Sequence, residues 1–139
     1  MDGTLVDSTA GVIGTWTAFA KTYPGIDVED ILSGGHGVRT VENLRKYCKI
    51  DNPDELEREA ARFERTIVDT AKENGRPVIG VGEIMEELLP GSKNPKPCWA
   101  ICTSATRVYA SAALNMAGIP TPDALVIAED VTLPQIRTF

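Results

Sequence analysis

Few side chains in this chain have both the type and the setting to do chemistry. Asp2 and Asp7 bracket the opening DGTLVDS, and Ser104 stands in TSAT at the end of the apolar run CWAICTSA. A hydroxyl and a backbone amide at the point where a strand gives way to a helix can hold an anionic oxygen. The same TSAT would also make a good helix N-cap, so both readings stand. Arg39, in HGVRT, carries a planar guanidinium that can clamp a hydroxyl, carboxylate or phosphate, or else form a surface ion pair. His36 follows two glycines and reads as a turn residue or a ligand contact rather than a metal ligand, because no second His or Cys stands at ligand spacing. Glu129 and Asp130 end the apolar run ALVIA, and in a parallel sheet such strand ends are where ligands bind.

The elements that must position these residues alternate between helix and strand signals, without repeats or low-complexity segments. From Ala10 to Tyr23, Val12, Ile13, Trp16, Phe19 and Ala20 recur at helical spacing behind Ser8 or Thr9 as N-cap, and Pro24 and Gly25 stop the helix. Val28 to Leu32 forms a short helix that runs into SGGHG, and a third helix puts Val41, Leu44 and Cys48 on one face. The clearest helix runs from Pro53 to about Asn74, capped by Asp51 or Asn52, with Asp54 and Glu55 suited to its dipole. Its buried stripe is Leu56, Ala60, Phe63, Ile67 and Ala71, and the Glu and Arg residues between them are expected to form a solvated face of i,i+3 and i,i+4 pairs. Beyond Gly75 come a helix near Glu83 to Leu89, the loop PGSKNPKP, the strand CWAICTSA, a helix from Thr106 to Ala117 closed by Gly118, and the strand ALVIA. Both strands read as buried.

Bulk composition narrows the class. No apolar run approaches the ~20 residues of a membrane helix, so no membrane span is expected. A net charge of -6 argues against a nucleic-acid surface, which needs clustered Lys and Arg, and a small anionic ligand would need a local positive pocket. Cys48, Cys98 and Cys102 make an odd count, and the close pair would lie about 13 Å apart along one strand, too far to bridge. All three are expected to be reduced. With no basic flank and apolar stretch at the N-terminus, the cytoplasm is the expected location.

The opening DGTLVDS resembles the second half of the first motif of the haloacid-dehalogenase superfamily, usually DxDGT[LV]xDS at the end of the first core strand, with Met1 in the x position. ICTSATR resembles the second motif, a strand ending in Ser or Thr, and IAEDV resembles the segment leading into the third. The stretch between the first two motifs has about the length of the helical cap of the phosphoglycolate-phosphatase and glycerol-phosphatase branch, and HGVRT is similar to a cap motif of sugar and polyol phosphatases. The resemblance implies an α/β fold, a Rossmann-like parallel sheet core, incomplete, with an inserted α-helical cap: residues 1–8 and 76–139 as core, 9–75 as cap. It places Asp2 at the carboxyl edge of a central parallel sheet, facing the Ser104 turn across a phosphate-sized gap.

In that family the first Asp of DxD forms an aspartyl phosphate, and the second acts as general acid and base. Asp2 matches the second, and its backbone carbonyl matches a Mg²⁺ ligand. Ser104, Ala105, Gly3 and Thr4 match phosphate-binding positions, a reading the strand-turn-helix setting favours over pure capping for Ser104. Arg39 and His36 become candidate substrate contacts from the cap, and Asp7 a candidate for fixing the cap hinge or an exposed turn carboxylate. The family's nucleophile, its Lys-Pro lysine and its later Mg²⁺-binding acids have no counterpart here, since the chain continues TLPQIRTF. The expectation is a Mg²⁺-dependent phosphomonoester hydrolase of a small phosphorylated sugar or polyol, seen as a fragment and inactive alone. A degenerate, non-catalytic phosphate-ester-binding or interaction module is the alternative from another class, and a phosphosugar mutase is a third reading. The mid-motif start and the divergent last eight residues favour the fragment.

Overall fold

The computed structural model describes residues 1–34, 38–73, 79–91 and 98–131. In chain order the elements are β1 (Val6–Asp7), α1 (Thr9–Thr22), α2 (Val28–Gly34), α3 (Thr40–Cys48), α4 (Pro53–Glu73), β2 (Ile79–Gly80), α5 (Gly82–Leu88), β3 (Ile101–Cys102), α6 (Arg107–Met116) and β4 (Leu125–Val126), with 3-10 turns at Leu89–Gly91 and Ala128–Asp130. A helical cap thus separates β1 from the strand-bearing remainder, which is the expected α/β arrangement.

The cap closes around α4. Asn52 starts this helix by accepting the Glu55 N–H at 3.0 Å, and Leu56, Ala60, Phe63, Ile67 and Ala71 all turn inward as their spacing requires. Trp16, Phe19 and Phe63 meet edge to face, with centroids 4.6 to 6.3 Å apart. Gly11 lets α1 press against α4, since a Cβ there would stand 2.6 Å from the Ile67 carbonyl oxygen. Thr15, fully buried, satisfies its hydroxyl within α1 by donating to the Gly11 carbonyl at 2.8 Å. Cys48 packs into this core, and burial pushes its thiol up to about 11.

The strands are shorter than the sequence suggests. Among the described residues they make two separate two-stranded sheets: β1 with β2, antiparallel, and β3 with β4, parallel with Ile101 opposite Leu125. Ile101 and Ile127 enter the core, whereas Cys102 and Val126 are exposed, so CWAICTSA and ALVIA are not buried on both faces as expected. A parallel strand is apolar throughout when helices cover both faces of its sheet, and here the buried side chains of α6, Tyr109, Ala110, Ala113 and Leu114, share a core with one face only. Asp2 is likewise not on a central strand: it makes a single bridge to Val6. With no third strand between the two pairs among the described residues, its position is set by a turn.

α6 ends as its sequence directs. Gly118, at φ +69°, turns the chain so that the Ile119 N–H reaches the Leu114 carbonyl at 2.9 Å.

Candidate active site

The turn that carries Asp2 is wound about one carbonyl. Met1 O accepts from the N–H groups of Thr4 and Leu5 at 3.2 and 2.8 Å, and Gly3, at φ +69°, donates its own N–H to Val6 O at 2.8 Å. Only a residue without Cβ adopts that φ at no cost, which is why glycine follows the acid. The Asp2 carboxylate is then held by two hydroxyls, Ser8 Oγ at 2.7 Å and Tyr109 Oη at 2.6 Å, both donating to Oδ1. Ser8 is the N-cap of α1, yet its hydroxyl makes no capping bond because it is committed to Asp2. Asp7 takes over locally, accepting the Thr9 N–H at 3.0 Å, and hydrogen bonding from Thr9 holds its carboxyl below the usual value. Burial, followed by the charge of Asp2, keeps the Tyr109 phenol far above its ordinary range, so it stays a donor.

Across from Asp2 stands the turn between β3 and α6. Thr106 is the N-cap of α6, its hydroxyl accepting the Tyr109 N–H at 3.4 Å. Ala105 spends its amide on Thr103 Oγ1 at 3.2 Å, and Ser104, exposed, has no hydrogen-bond partner among the described residues. Capping therefore falls to Thr106, and the Ser104 hydroxyl is left facing open space.

That space is a cleft of about 540 Å³ between the cap and the β3–α6 turn. The strand-bearing part contributes Asp2, Gly3, Ser8, Thr103, Ser104, Ala105 and Tyr109 to its lining, and the cap contributes Val12, Trp16, Thr40, Asn43, Phe63 and Glu64. Of the residues singled out from the sequence, Asp2, Gly3, Ser104 and Ala105 come together here. Thr4 does not reach the cleft, and Arg39 supplies the N-cap position of α3 while its neighbours Val38 and Thr40 line the wall. His36 lies outside the described residues. Glu129 and Asp130 hold α6 instead: Glu129 accepts the Arg107 N–H at 3.0 Å, and Asp130 meets the Arg107 guanidinium at 3.5 Å on the surface. An exposed pair of that kind contributes roughly 0–1 kcal/mol.

Two residues of the site were not legible. Tyr109 sits in a helix of small side chains, and nothing in the sequence aims it at residue 2. Glu64 was expected on the solvated face of α4, and the structure corrects this: it is 5% exposed. Thr40 Oγ1 donates to its Oε1 at 3.1 Å, and the Thr106 hydroxyl donates to its Oε2. Burial pushes its carboxyl above the usual value, and no ion pair offsets it among the described residues. One signal was present: Glu64 lies four residues after Ala60 and three before Ile67, so the helical period puts it at the edge of the buried stripe.

The donor set does not fit a magnesium ion. Mg²⁺ asks for near-octahedral oxygen coordination, usually from more than one carboxylate, and no cluster of three His, Cys, Asp or Glu residues occurs among the described residues.

No family model matches the chain. It is 32% identical over 131 residues to hexitol phosphatase A of Escherichia coli, covering 94% of this chain and 58% of that protein. It is 29% identical over 132 residues to glycerol-1-phosphate phosphohydrolase 1 of Saccharomyces cerevisiae (94% and 50%), and 31% identical over 117 residues to the yeast 2-deoxyglucose-6-phosphate phosphatase 1 (76% and 44%). A structure described as a haloacid dehalogenase-like hydrolase from Bacteroides fragilis superposes with a TM-score of 0.63 at 21% identity, over 96% of this chain and 62% of that one. The chain has the haloacid-dehalogenase-like fold. A hydrolase from Pseudomonas syringae has the same fold, with a TM-score of 0.63 at 18% identity, over 94% and 59% of the two chains. The chain spans about half to three fifths of the length of the first two relatives. Among its described residues no helix is long and apolar enough to cross a membrane.

Proposed function

We propose that this haloacid-dehalogenase-like chain carries the helical cap and part of the catalytic core of a phosphomonoester hydrolase for small polyol or sugar phosphates. The observation that carries the reading is the meeting of Asp2 and Ser104 in one cap-covered cleft. A carboxylate fixed by two hydroxyls and a free hydroxyl beside the first turn of a helix are what proton transfer at an ester oxygen and binding of a phosphoryl group require. The relatives' names supply the substrate class. Domain limits of 9–75 for the cap and 1–8 with 76–139 for the core, and a cytoplasmic location, belong to the same proposal.

Asp2 is assigned as general acid and base, with Tyr109 and Ser8 positioning its carboxylate so that Oδ2 is left for the leaving oxygen. Ser104 is assigned to the phosphoryl oxygens, with Ala105 and Gly3 beside it, whose amides would have to leave Thr103 Oγ1 and Val6 O to join it, and Arg39 and His36 are assigned to substrate contacts from the cap. A magnesium ion, expected for such enzymes, would offset charge on the phosphoryl group. Asp2 alone among the matched residues would touch it.

By themselves, these residues are proposed to bind a phosphate ester without turning it over. The test is phosphate release from glycerol 1-phosphate or 2-deoxyglucose 6-phosphate by the purified chain with Mg²⁺, run beside calorimetric titration with the same esters. Binding without release is expected. Release that Asp2→Asn abolishes would overturn the inactivity while upholding the site, and absence of binding would overturn the site. A non-catalytic phosphate-ester-binding module is the second reading, favoured by a donor set that does not suit magnesium among the described residues.

A further inference from the structure

Besides Asp2, the cleft holds a second acid that the phosphoryl chemistry does not use. Glu64 sits in α4 with its carboxylate between the first residue of α3, Thr40, and the N-cap of α6, Thr106, and is the least exposed charged side chain described. Around it the cap contributes mostly apolar surface: Val12, Trp16, Phe63 and Ile67. A buried acid in such a wall, without a cation, is a poor way to gain stability. Its oxygens accept the hydroxyls of Thr40 and Thr106 and feel the Thr106 backbone N–H as well, which leaves the carboxylate at least one acceptor site.

We propose that Glu64 sets the specificity of this cleft, accepting a hydroxyl of a neutral polyol or sugar phosphate and excluding esters that carry a carboxylate next to the phosphate. The proposal rests on the phosphate-ester reading above and deepens it. A polyol offers O–H donors, which is what a carboxylate with spare acceptor sites can take. A carboxylate tail offers none, and it would set a second anion beside one already screened from water. No Lys or Arg lines the cleft among the described residues to offset the pair: Arg39, proposed above as a substrate contact, stands at the N-cap position of α3 and is not part of the lining. Burial already holds the Glu64 carboxyl above its usual value and Glu129 adds to this, so a further anion would meet repulsion or oblige the site to take up a proton. The phosphoryl group is assigned to the Ser104 hydroxyl, a donor without a partner among the described residues, although the N-cap of α6 itself touches Glu64.

The experiment is calorimetric titration of the purified chain at pH 8 with inorganic phosphate, glycerol 1-phosphate and phosphoglycolate, for the wild type, Glu64→Gln and Glu64→Asp. Wild type is expected to prefer glycerol 1-phosphate over phosphoglycolate by about tenfold or more, the scale of a modest like-charge penalty. Glu64→Gln should compress that preference by about tenfold, chiefly by tightening phosphoglycolate, with inorganic phosphate unchanged within about twofold. Glu64→Asp keeps the charge and shortens the reach, so it should still reject phosphoglycolate while binding the polyol ester less well. A preference that Glu64→Gln leaves intact, a uniform change for all three ligands, or a loss of preference in Glu64→Asp as large as in Glu64→Gln would each overturn the specificity role and spare the phosphate-ester reading. Failure of the wild type to bind any of the three overturns both.

Discussion

The cap and the strand-bearing part of this chain are stabilised in different ways, although they meet across one cleft. The cap is helical: its elements make their repeating backbone hydrogen bonds internally, so it is assembled by close packing of Trp16, Phe19, Leu44, Leu56 and Phe63. β1 to β4 must borrow hydrogen bonds from neighbours, and each described strand has two residues and one partner. The difference shows why the site is held by side chains rather than by a sheet. Asp2 keeps its place through Ser8 and Tyr109, and Glu64 ties the cap to the N-cap of α6.

The contrast can be broken. Phe63→Ala should cost about 3–5 kcal/mol in a urea unfolding series, the usual scale for removing a buried phenyl ring. A loss as small as that from Ile101→Val, about 0.5–1.5 kcal/mol, would mean the cap is not the better packed part. Next in size is Gly11→Ala, where a Cβ 2.6 Å from a backbone oxygen forces α1 off α4. About 1–3 kcal/mol is expected for that overpacking, with the melting temperature as readout. Native-state hydrogen exchange would sharpen the comparison, since amides of α1 and α4 should outlast those of β3 and β4. Tyr109→Phe removes one hydrogen bond from Asp2, and about 0.5–1.5 kcal/mol of stability is expected to go with it.

The smallest effect is a pair of slopes of opposite sign on one helix. Glu59 accepts from Arg62 at 3.0 Å, and this bond, foremost, holds its carboxyl below the usual value. Its stabilisation is present above the ordinary carboxylate range and is lost as pH falls through the lowered value, so Glu59→Gln should flatten the acid limb of a stability profile. Glu64 is raised, mainly by burial. Between the ordinary glutamate value and its raised one the folded state binds more protons, so wild-type stability declines as pH rises through that window. Glu64→Gln lacks the decline, and the difference between variant and wild type should shift in the variant's favour with rising pH. A wild-type profile parallel to that of Glu64→Gln would show that the carboxyl is not buried as described.

Much of the architecture could be read from residue order. The stripe Leu56, Ala60, Phe63, Ile67 and Ala71 is buried residue for residue, because a 3.6-residue period places those positions on one face whatever they pack against. The motifs DGT and TSAT announced where Asp2 and Ser104 would stand, and the structure puts both in one cleft. The strands were overread: an apolar run states that a segment can be buried, while the number of paired residues depends on neighbours far away in the chain.

What the sequence determined by itself is therefore the local: helix faces, caps, the glycine turn behind Asp2, and the alternation of helix and strand. What only the tertiary structure decided is which side chains from distant segments share a hydrogen bond. Tyr109 donates to a carboxylate 107 residues away, and Glu64, one acid among many on α4, becomes the buried one because Thr40 and Thr106 close over it. Periodicity is carried by adjacent residues, but the partner of a polar group is chosen by where the whole chain packs, and no short window of sequence contains that choice.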